Sequence, residues 1–364
     1  MSNKTKVKKV RGMAKRAAII LSGGSSKRFQ SAQEAWQDKA LVELLGKPLL
    51  VRTIENVSEV VDEVVICVNN EKRKTEYSKI LKNHNIDHVR LIIDDKSNQL
   101  AGPIVGILTG LKTVNAEYCF TIPSDMPLVQ PKIVDYMFNS INDARIVVPM
   151  WSNGRLETLT MVLKKNEALE IVKTLCQLKR PRSDDIIRGA LNVLFISING
   201  EISAFDPKLT SFTNINSKTD LARLQPRQTQ GPIAESSQLT LGNLPLAKLS
   251  SIQKASTLSN KGNFLEASQI FSASAVQLET EASWFWAAIS RENEGKSLLN
   301  LSKQQSNQES ATKYALKAKD AFLEAANNYE LEAKIYEKSN ATFLAERARS
   351  NKKWCEEQIS SLSG

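Results

Sequence analysis

A Ser/Gly loop with two cations is the first place where this chain could do chemistry. Leu21-Ser22-Gly23-Gly24-Ser25-Ser26-Lys27-Arg28 follows the apolar run Ala17-Ala18-Ile19-Ile20. Glycines let backbone N–H groups close on anionic oxygens, and Lys27 and Arg28 bring neutralising charge, so the pattern suits a phosphate. It has neither the Walker A spacing nor the three-glycine dinucleotide fingerprint, and Gly-Gly after a strand also occurs in ordinary turns. Further polar groups follow: Asp38-Lys39, Asn69, Asp94-Asp95 with Gly102-Pro103-Ile104-Val105-Gly106, and Pro123-Ser124-Asp125-Met126-Pro127. A triphosphate needs N–H donors and cations, a divalent ion needs a carboxylate, and a base needs polar partners for its edges. Asp125, framed by prolines, is the expected metal ligand, because magnesium takes one or two carboxylates together with phosphates and water. Lys39 is expected to stabilise charge on departing pyrophosphate. Plainer readings stand beside these: Asp125 as a turn residue, Lys39 as a solvated lysine, Asn69 as a turn cap. Asp95 competes with Asp94, and the distance to Gly102 favours Asp95.

Other chemistries find little footing. His84 and His88 are the only histidines, and Asn83, Asn85 and Asp87 around them argue for a loop rather than a metal-chelating helix. Cys67, Cys119, Cys176 and Cys355 lie far apart without zinc or redox spacing. Cys67 and Cys119 sit in apolar runs and read as buried small hydrophobes. Neither a Ser-His nor a Cys-His nucleophile is expected.

The elements that must position these groups are short apolar strands at 17–21, 64–68, 89–93, 118–122, 144–148, 159–163 and 192–198, with helices near 48–59 and 103–114. Val- and Ile-rich strands alternating with helices predict an α/β domain with a mostly parallel sheet. Each polar group lies just past a strand's carboxyl end, where such a sheet builds its site.

With these motifs placed, residues 17–221 resemble a molybdenum cofactor guanylyltransferase, within the Rossmann-like nucleotidyltransferases that release pyrophosphate. The family's Leu-Ala-Gly-Gly, Arg-Met/Phe-Gly and Asp-Lys appear as Leu21-Ser22-Gly23-Gly24, Arg28-Phe29 and Asp38-Lys39. Its Gly-Pro-Leu-Ala-Gly turn matches residues 102–106, and its Asp-x-Pro motif matches Asp125-Met126-Pro127. Its late Phe-x-Asn-x-Asn…Asp-Leu signature matches Phe212, Asn214, Asn216, Asp220 and Leu221. The resemblance implies that Leu21, Ser22, Gly23 and Gly24 touch the nucleotide and that Lys39 binds phosphate. It further implies that Asn69 and Asp95 contact the guanosine, that Asp125 holds Mg2+, and that Arg28, Lys39 and Asp125 carry catalysis. Gly154-Arg155-Leu156-Glu157 aligns with an acceptor-side segment. The chain departs from the pattern at Ser22 for alanine, Gln30 for glycine, Thr158 for proline, and in an insertion through residues 31–36 before Lys39.

These observations predict a Rossmann-like three-layer nucleotidyltransferase domain at 17–221, a linker at 222–246 and a separate all-helical domain at 247–364. The last of these reads as a plain three- or four-helix bundle in preference to a tetratricopeptide array, since only Lys261-Gly262-Asn263 and its flanks suggest one such helix pair. Ala318, Phe322, Ala325, Tyr329, Ala333 and Tyr336 form its amphipathic stripe. Trp284, Phe285 and Trp286 read as core in preference to a partner site. The net charge of +10 owes much to seven basic residues among the first sixteen. That tail, 1–16, reads as a disordered solvated extension in preference to a nucleic-acid arm. No run approaches the roughly 18–20 apolar residues of a membrane span, and a cytoplasmic protein is expected. The resemblance implies transfer of GMP from GTP to the terminal phosphate of a molybdopterin-type cofactor. The bundle lies outside the family pattern, and three roles stay open for it: oligomerisation, docking of an acceptor protein as partner, or handover of the pterin cofactor. The alternatives are a cytidylyl- or other nucleotidyltransferase with another acceptor, and a catalytically silent nucleotide-binding adaptor.

Overall fold

Strand β1 (Arg16–Ser22) carries four fully buried residues, Ala17 to Ile20, because it lies mid-sheet with helices on both faces. This is a computed structural model, and it describes residues 15–24, 37–95, 100–223, 235–242 and 246–362. Most of the basic tail, Arg28, Gln30 and the insertion at 31–36 lie outside the described residues.

A 3-10 turn at Lys39–Leu41 follows β1, then the two-residue strands β2 (Glu43–Leu44) and β3 (Lys47–Pro48). Next come α1 (Leu49–Ser58), β4 (Glu63–Val68), α2 (Glu71–Asn83), β5 (Val89–Ile93), α3 (Pro103–Thr113) and β6 (Tyr118–Pro123). The chain continues through α4 (Pro131–Asn139), β7 (Ile146–Met150), β8 (Met161–Lys164), α5 (Lys165–Gln177), α6 (Asp184–Gly189) and β9 (Asn192–Ser197). The short helices α7 (Ser203–Phe205) and α8 (Lys218–Arg223) come after it. Within the stretch read as a linker, β10 (Ser237–Thr240) instead pairs antiparallel with β9 as an edge strand. Its polar, half-exposed pattern is what an edge tolerates and what makes it read as loop.

The eight-stranded sheet has the order β10-β9-β7-β8-β6-β1-β4-β5, and six strands run the same way. β8 and β10 are the antiparallel members. Side chains alternate across β1: Ala17, Ile19 and Leu21 pack with α3 and α5, while Ala18 and Ile20 pack with α1, α2 and α4. Gly110 lets α3 lie directly on β1, for a Cβ there would collide with Ile19.

The C-terminal helices are α9 (Leu246–Asn260), α10 (Phe264–Thr280), α11 (Trp284–Lys303), α12 (Gln308–Lys338) and α13 (Thr342–Ser361). Among the described residues there are five where three or four were expected, each packed on the next. All six residues of the α12 stripe are buried, as are Phe285 and Trp286. The bundle does not stand apart: Leu249, Phe271, Trp286 and Tyr336 join the same apolar cluster as α3, α5 and β1. Among the described residues no helix is long and apolar enough to cross a membrane.

Candidate active site

The connections from β1 run first to β4 and β5 on one flank, then return to β6 on the other. Their carboxyl ends therefore splay around β1, the switch point where open α/β sheets bind ligands. A cavity of about 620 Å³ opens there, lined by the β1 loop, Lys39, Asn69, Asp94, Gly102 and Asp125 among others. Gly102 caps α3 with φ +123°, a conformation that favours glycine, and Pro103 starts the helix where a missing N–H costs nothing.

Lys39 begins the 3-10 turn, whose cap Asp38 accepts a hydrogen bond from Ala40 N at 3.2 Å. The ammonium of Lys39 forms an ion pair with Asp125 Oδ2 and donates to Asn216 Oδ1 at 3.0 Å. Asp125, at the end of β6, is held from the other side: its carbonyl accepts from Ile215 N at 3.0 Å. Asn216 N in turn donates to Asp220 Oδ2 at 2.9 Å, so the late Asn216…Asp220 signature folds back onto the Asp125 turn. Asp125 Oδ1 is buried with no hydrogen-bond partner among the described residues. A buried carboxylate oxygen in that condition fits a cation ligand. The described residues contain no group of three or more His, Cys, Asp or Glu that could hold a metal.

Arg73 of α2 ties the loop after β1 together. Its guanidinium is 4% exposed and donates to Asp38 Oδ2 (2.6 Å), Ser22 O (3.1 Å), Gly24 O (2.6 Å) and Asn69 Oδ1 (3.3 Å). Tyr77, one helical turn on, donates to Asp38 Oδ2 at 3.0 Å and shares a 2.6 Å hydrogen bond with Ser22 Oγ. Ser124 Oγ donates to Ser22 Oγ at 3.0 Å. Burial, with Asp38 beside it, pushes the Tyr77 phenol far above its ordinary value and keeps it protonated. The serine that replaces the family's alanine is thus a buried link between β1, α2 and β6.

The structure brings most of the expected residues to one place. Leu21, Ser22, Gly23, Gly24, Lys39, Asn69 and Asp125 line the cavity, and Asn69 Nδ2 donates to Gly23 O at 3.1 Å. Asp95 does not join them. Asp94 lines the cavity, whereas Asp95 is turned outward toward Lys112 Nζ at 3.4 Å. Side chains alternate along an extended chain, so one step past β5 reverses the facing, which distance to Gly102 could not reveal. Arg28 lies outside the described residues, and Arg155 is exposed and not part of the lining. His84 caps the end of α2 and His88 Nε2 meets Ser58 Oγ, away from the cavity. Sequence reasoning passed over Arg73 and Tyr77 and gave Asn216 no role. Arg73 and Tyr77 had one signal, the Asn70 helix start that sets residues 73 and 77 on one face, and Asn216 had the late Asn signature.

The family model of the MobA-like NTP transferase domain matches residues 18–191. A probable molybdenum cofactor guanylyltransferase of Methanosarcina acetivorans is 34% identical over 222 residues, 61% of this chain and 94% of that protein. One of Methanosarcina mazei is 32% identical, over 57% of this chain and 89% of that protein. Among solved structures, molybdopterin-guanine dinucleotide biosynthesis protein A from Archaeoglobus fulgidus matches with a TM-score of 0.46 and 23% identity, over 58% of this chain and 96% of that one. The matched domain ends before α9, so the bundle lies beyond it.

Proposed function

The chain belongs to the MobA-like NTP transferase family, that of the molybdenum cofactor guanylyltransferases, and on that premise we propose that it transfers GMP from GTP to the terminal phosphate of the molybdopterin cofactor. The observation that carries this reading is the Lys39–Asp125 ion pair, in one cavity with the Gly23–Gly24 loop, with Asp125 Oδ1 left for a cation.

In the proposed reaction an oxygen of the acceptor phosphate attacks the α-phosphorus of GTP in line. One P–O bond forms, the bond to the bridging oxygen breaks, and pyrophosphate leaves with the electron pair. The Ser22–Gly24 backbone and Lys39 bind the triphosphate, while Asn69 and Asp94 take the nucleoside. Asp125 would hold magnesium, which when bound neutralises charge across the phosphate oxygens. A phosphate that displaces the carboxylate from Lys39 gains an ammonium aimed at the leaving charge. No covalent nucleophile is required, in keeping with a chain poor in histidine.

The test is a competition. Protein, magnesium and molybdopterin cofactor are mixed with equal GTP, CTP, ATP and UTP, and the pterin products are weighed by mass spectrometry. A GMP adduct alone is expected, and Asp125→Ala should abolish it while the protein stays folded. A CMP adduct would reassign the base pocket, and no adduct from wild-type protein would overturn the reading in favour of another acceptor or a silent domain.

A further inference from the structure

The segment 180–189 lies between the helical bundle and the rim of the cavity. Its far end, α6, is gripped by three bundle helices. Arg188, fully buried, forms a bidentate pair with Glu332 of α12, both contacts at 2.7 Å, and also donates to Asn351 Oδ1 of α13 at 3.2 Å. Arg180 reaches Glu292 of α11 at 3.3 Å, and Arg347 of α13 reaches Asp184 at 3.3 Å. Within the segment, Asp185 receives Arg180 and Arg188, both at 2.8 Å. Trp286 Nε1 donates to Gly189 O at 2.9 Å.

The near end of the same segment touches two walls of the cavity. The carbonyl of Pro181 lies 3.1 Å from where a Cβ on Gly102 would sit, so the two backbones are in close contact. Ser183 Oγ donates to Thr158 Oγ1 at 3.0 Å, next to Leu159. Gly102 and Leu159 both line the cavity. A second, independent anchor holds the strand-to-strand loop that carries Thr158. At the α12–α13 corner Thr342 Oγ1 donates to Asn153 O at 3.0 Å, and Phe343 N donates to Gly154 O at 3.4 Å.

Apolar packing alone would attach a bundle to a sheet, but it is non-directional. A planar guanidinium gripping a carboxylate through two bonds also fixes orientation. Buried ion pairs contribute little net stability against well-packed hydrophobes, so this cluster is better suited to specifying geometry. We propose that the α9–α13 bundle is a brace of the active site: by holding α6 and the Asn153–Gly154 turn, it sets Pro181 and Ser183 against Gly102 and Thr158, and with them the width of the cavity. The residues of the cluster are positioning residues, acting through the 180–189 segment. The inference rests on the proposed function only for its choice of ligand.

The experiment uses the full chain, first without ligand. Glu332→Gln keeps the side-chain shape and one acceptor for Arg188, and Thr342→Ala trims one exposed hydroxyl. Amide hydrogen exchange is followed at the rim (102–106 and 158–160) and, as an internal control, in β1. Both variants are expected to speed exchange at the rim by about threefold or more while β1 is unchanged. Glu332→Gln should also raise the KM for GTP by about fivefold with a smaller change in kcat, and Leu316→Ala on the exposed face of α12 should change neither. Unchanged rim amides, or equal acceleration in β1, would overturn the brace. Should Glu332→Gln fail to fold, the Thr342→Ala exchange result decides alone. Wild-type protein that does not bind GTP, with the rim still loosened in the variants, would count against the proposed function and not against the brace.

Discussion

Four acceptors from three separate segments meet one side chain at Arg73, and only a guanidinium has the fork of donors to serve them. While it holds the carbonyls of Ser22 and Gly24, the loop cannot turn a peptide plane without breaking a buried, charge-assisted bond. Arg73→Lys keeps the charge but offers a point in place of a fork, and leaves carbonyls buried without donors. The expected result is a loss of about 2 kcal/mol or more in a urea titration, with the KM for GTP rising by more than kcat falls. An unchanged KM would mean that Asn69 and Tyr77 suffice to hold the loop. Lys39→Ala should act the other way, lowering kcat by roughly 100-fold with a smaller effect on nucleotide affinity, in line with loss of a preorganised charge. Legibility differed sharply between these residues. Lys39 and Asp125 announced themselves through their motifs and, for Asp125, the flanking prolines. Arg73 sits in Glu71-Lys72-Arg73-Lys74-Thr75-Glu76-Tyr77, where every neighbour is polar and nothing local marks the one cation that becomes buried.

At the level of elements, what could be read in advance was the set of Val- and Ile-rich strands, continuously apolar where both faces are buried as in β1, β4 and β6, and less so at the edge strand β5, where Arg90 is exposed. β1, β4, β5 and β6 fall within a residue or so of their expected positions, and those four present the site. The antiparallel insertion of β8 between β6 and β7 was not legible, because strand direction is a property of the connection and leaves no mark on Met161-Val162-Leu163 itself. β10 was missed for the opposite reason, being an edge strand too polar to stand out. The helix capped by Gly102 depends on a close approach: α3 rests on β1 through Gly110 against Ile19. Gly110→Ala gains slightly in helix propensity but must push α3 off the sheet. Overpacking of this kind costs about 1–3 kcal/mol, so a lower denaturation midpoint is expected, with weaker GTP binding because the α3 start moves with the helix. A midpoint at or above wild type would show that the α3–β1 contact has slack.

For the whole molecule, the shared apolar cluster and the buried ions between sheet and bundle make one prediction about cooperativity and one about acid. Trp151 reports on the sheet side, while Trp286 and Trp354 report on the bundle. With α9, α10 and α11 contributing to the same core as β1 and α3, helix loss by circular dichroism and tryptophan exposure should coincide in one transition. The acid dependence follows from the carboxylates in the interface. Burial opposes ionisation of Glu292, but Lys296 and Arg180 beside it prevail and hold its carboxyl down at about 2, against 4.5 ordinarily. Burial likewise opposes ionisation of Asp185, and Arg180 and Arg188 again prevail, lowering it. Glu332 runs the other way, raised by burial despite Arg188, and offsets part of the effect. A carboxylate depressed in the folded state gives its full stabilisation above the unfolded value. That stabilisation drains away as the pH falls toward the folded value, since the unfolded chain takes up the proton first. The melting temperature should therefore be flat near neutrality and fall between about pH 4.5 and 2. Glu292→Gln should melt lower at neutral pH, because it takes the Glu292 carboxylate from Lys296 and leaves Arg180 with Asp185 alone, and its acid limb should be shallower. An equally steep limb in that variant would move the acid sensitivity away from the bundle interface and onto carboxylates elsewhere in the chain.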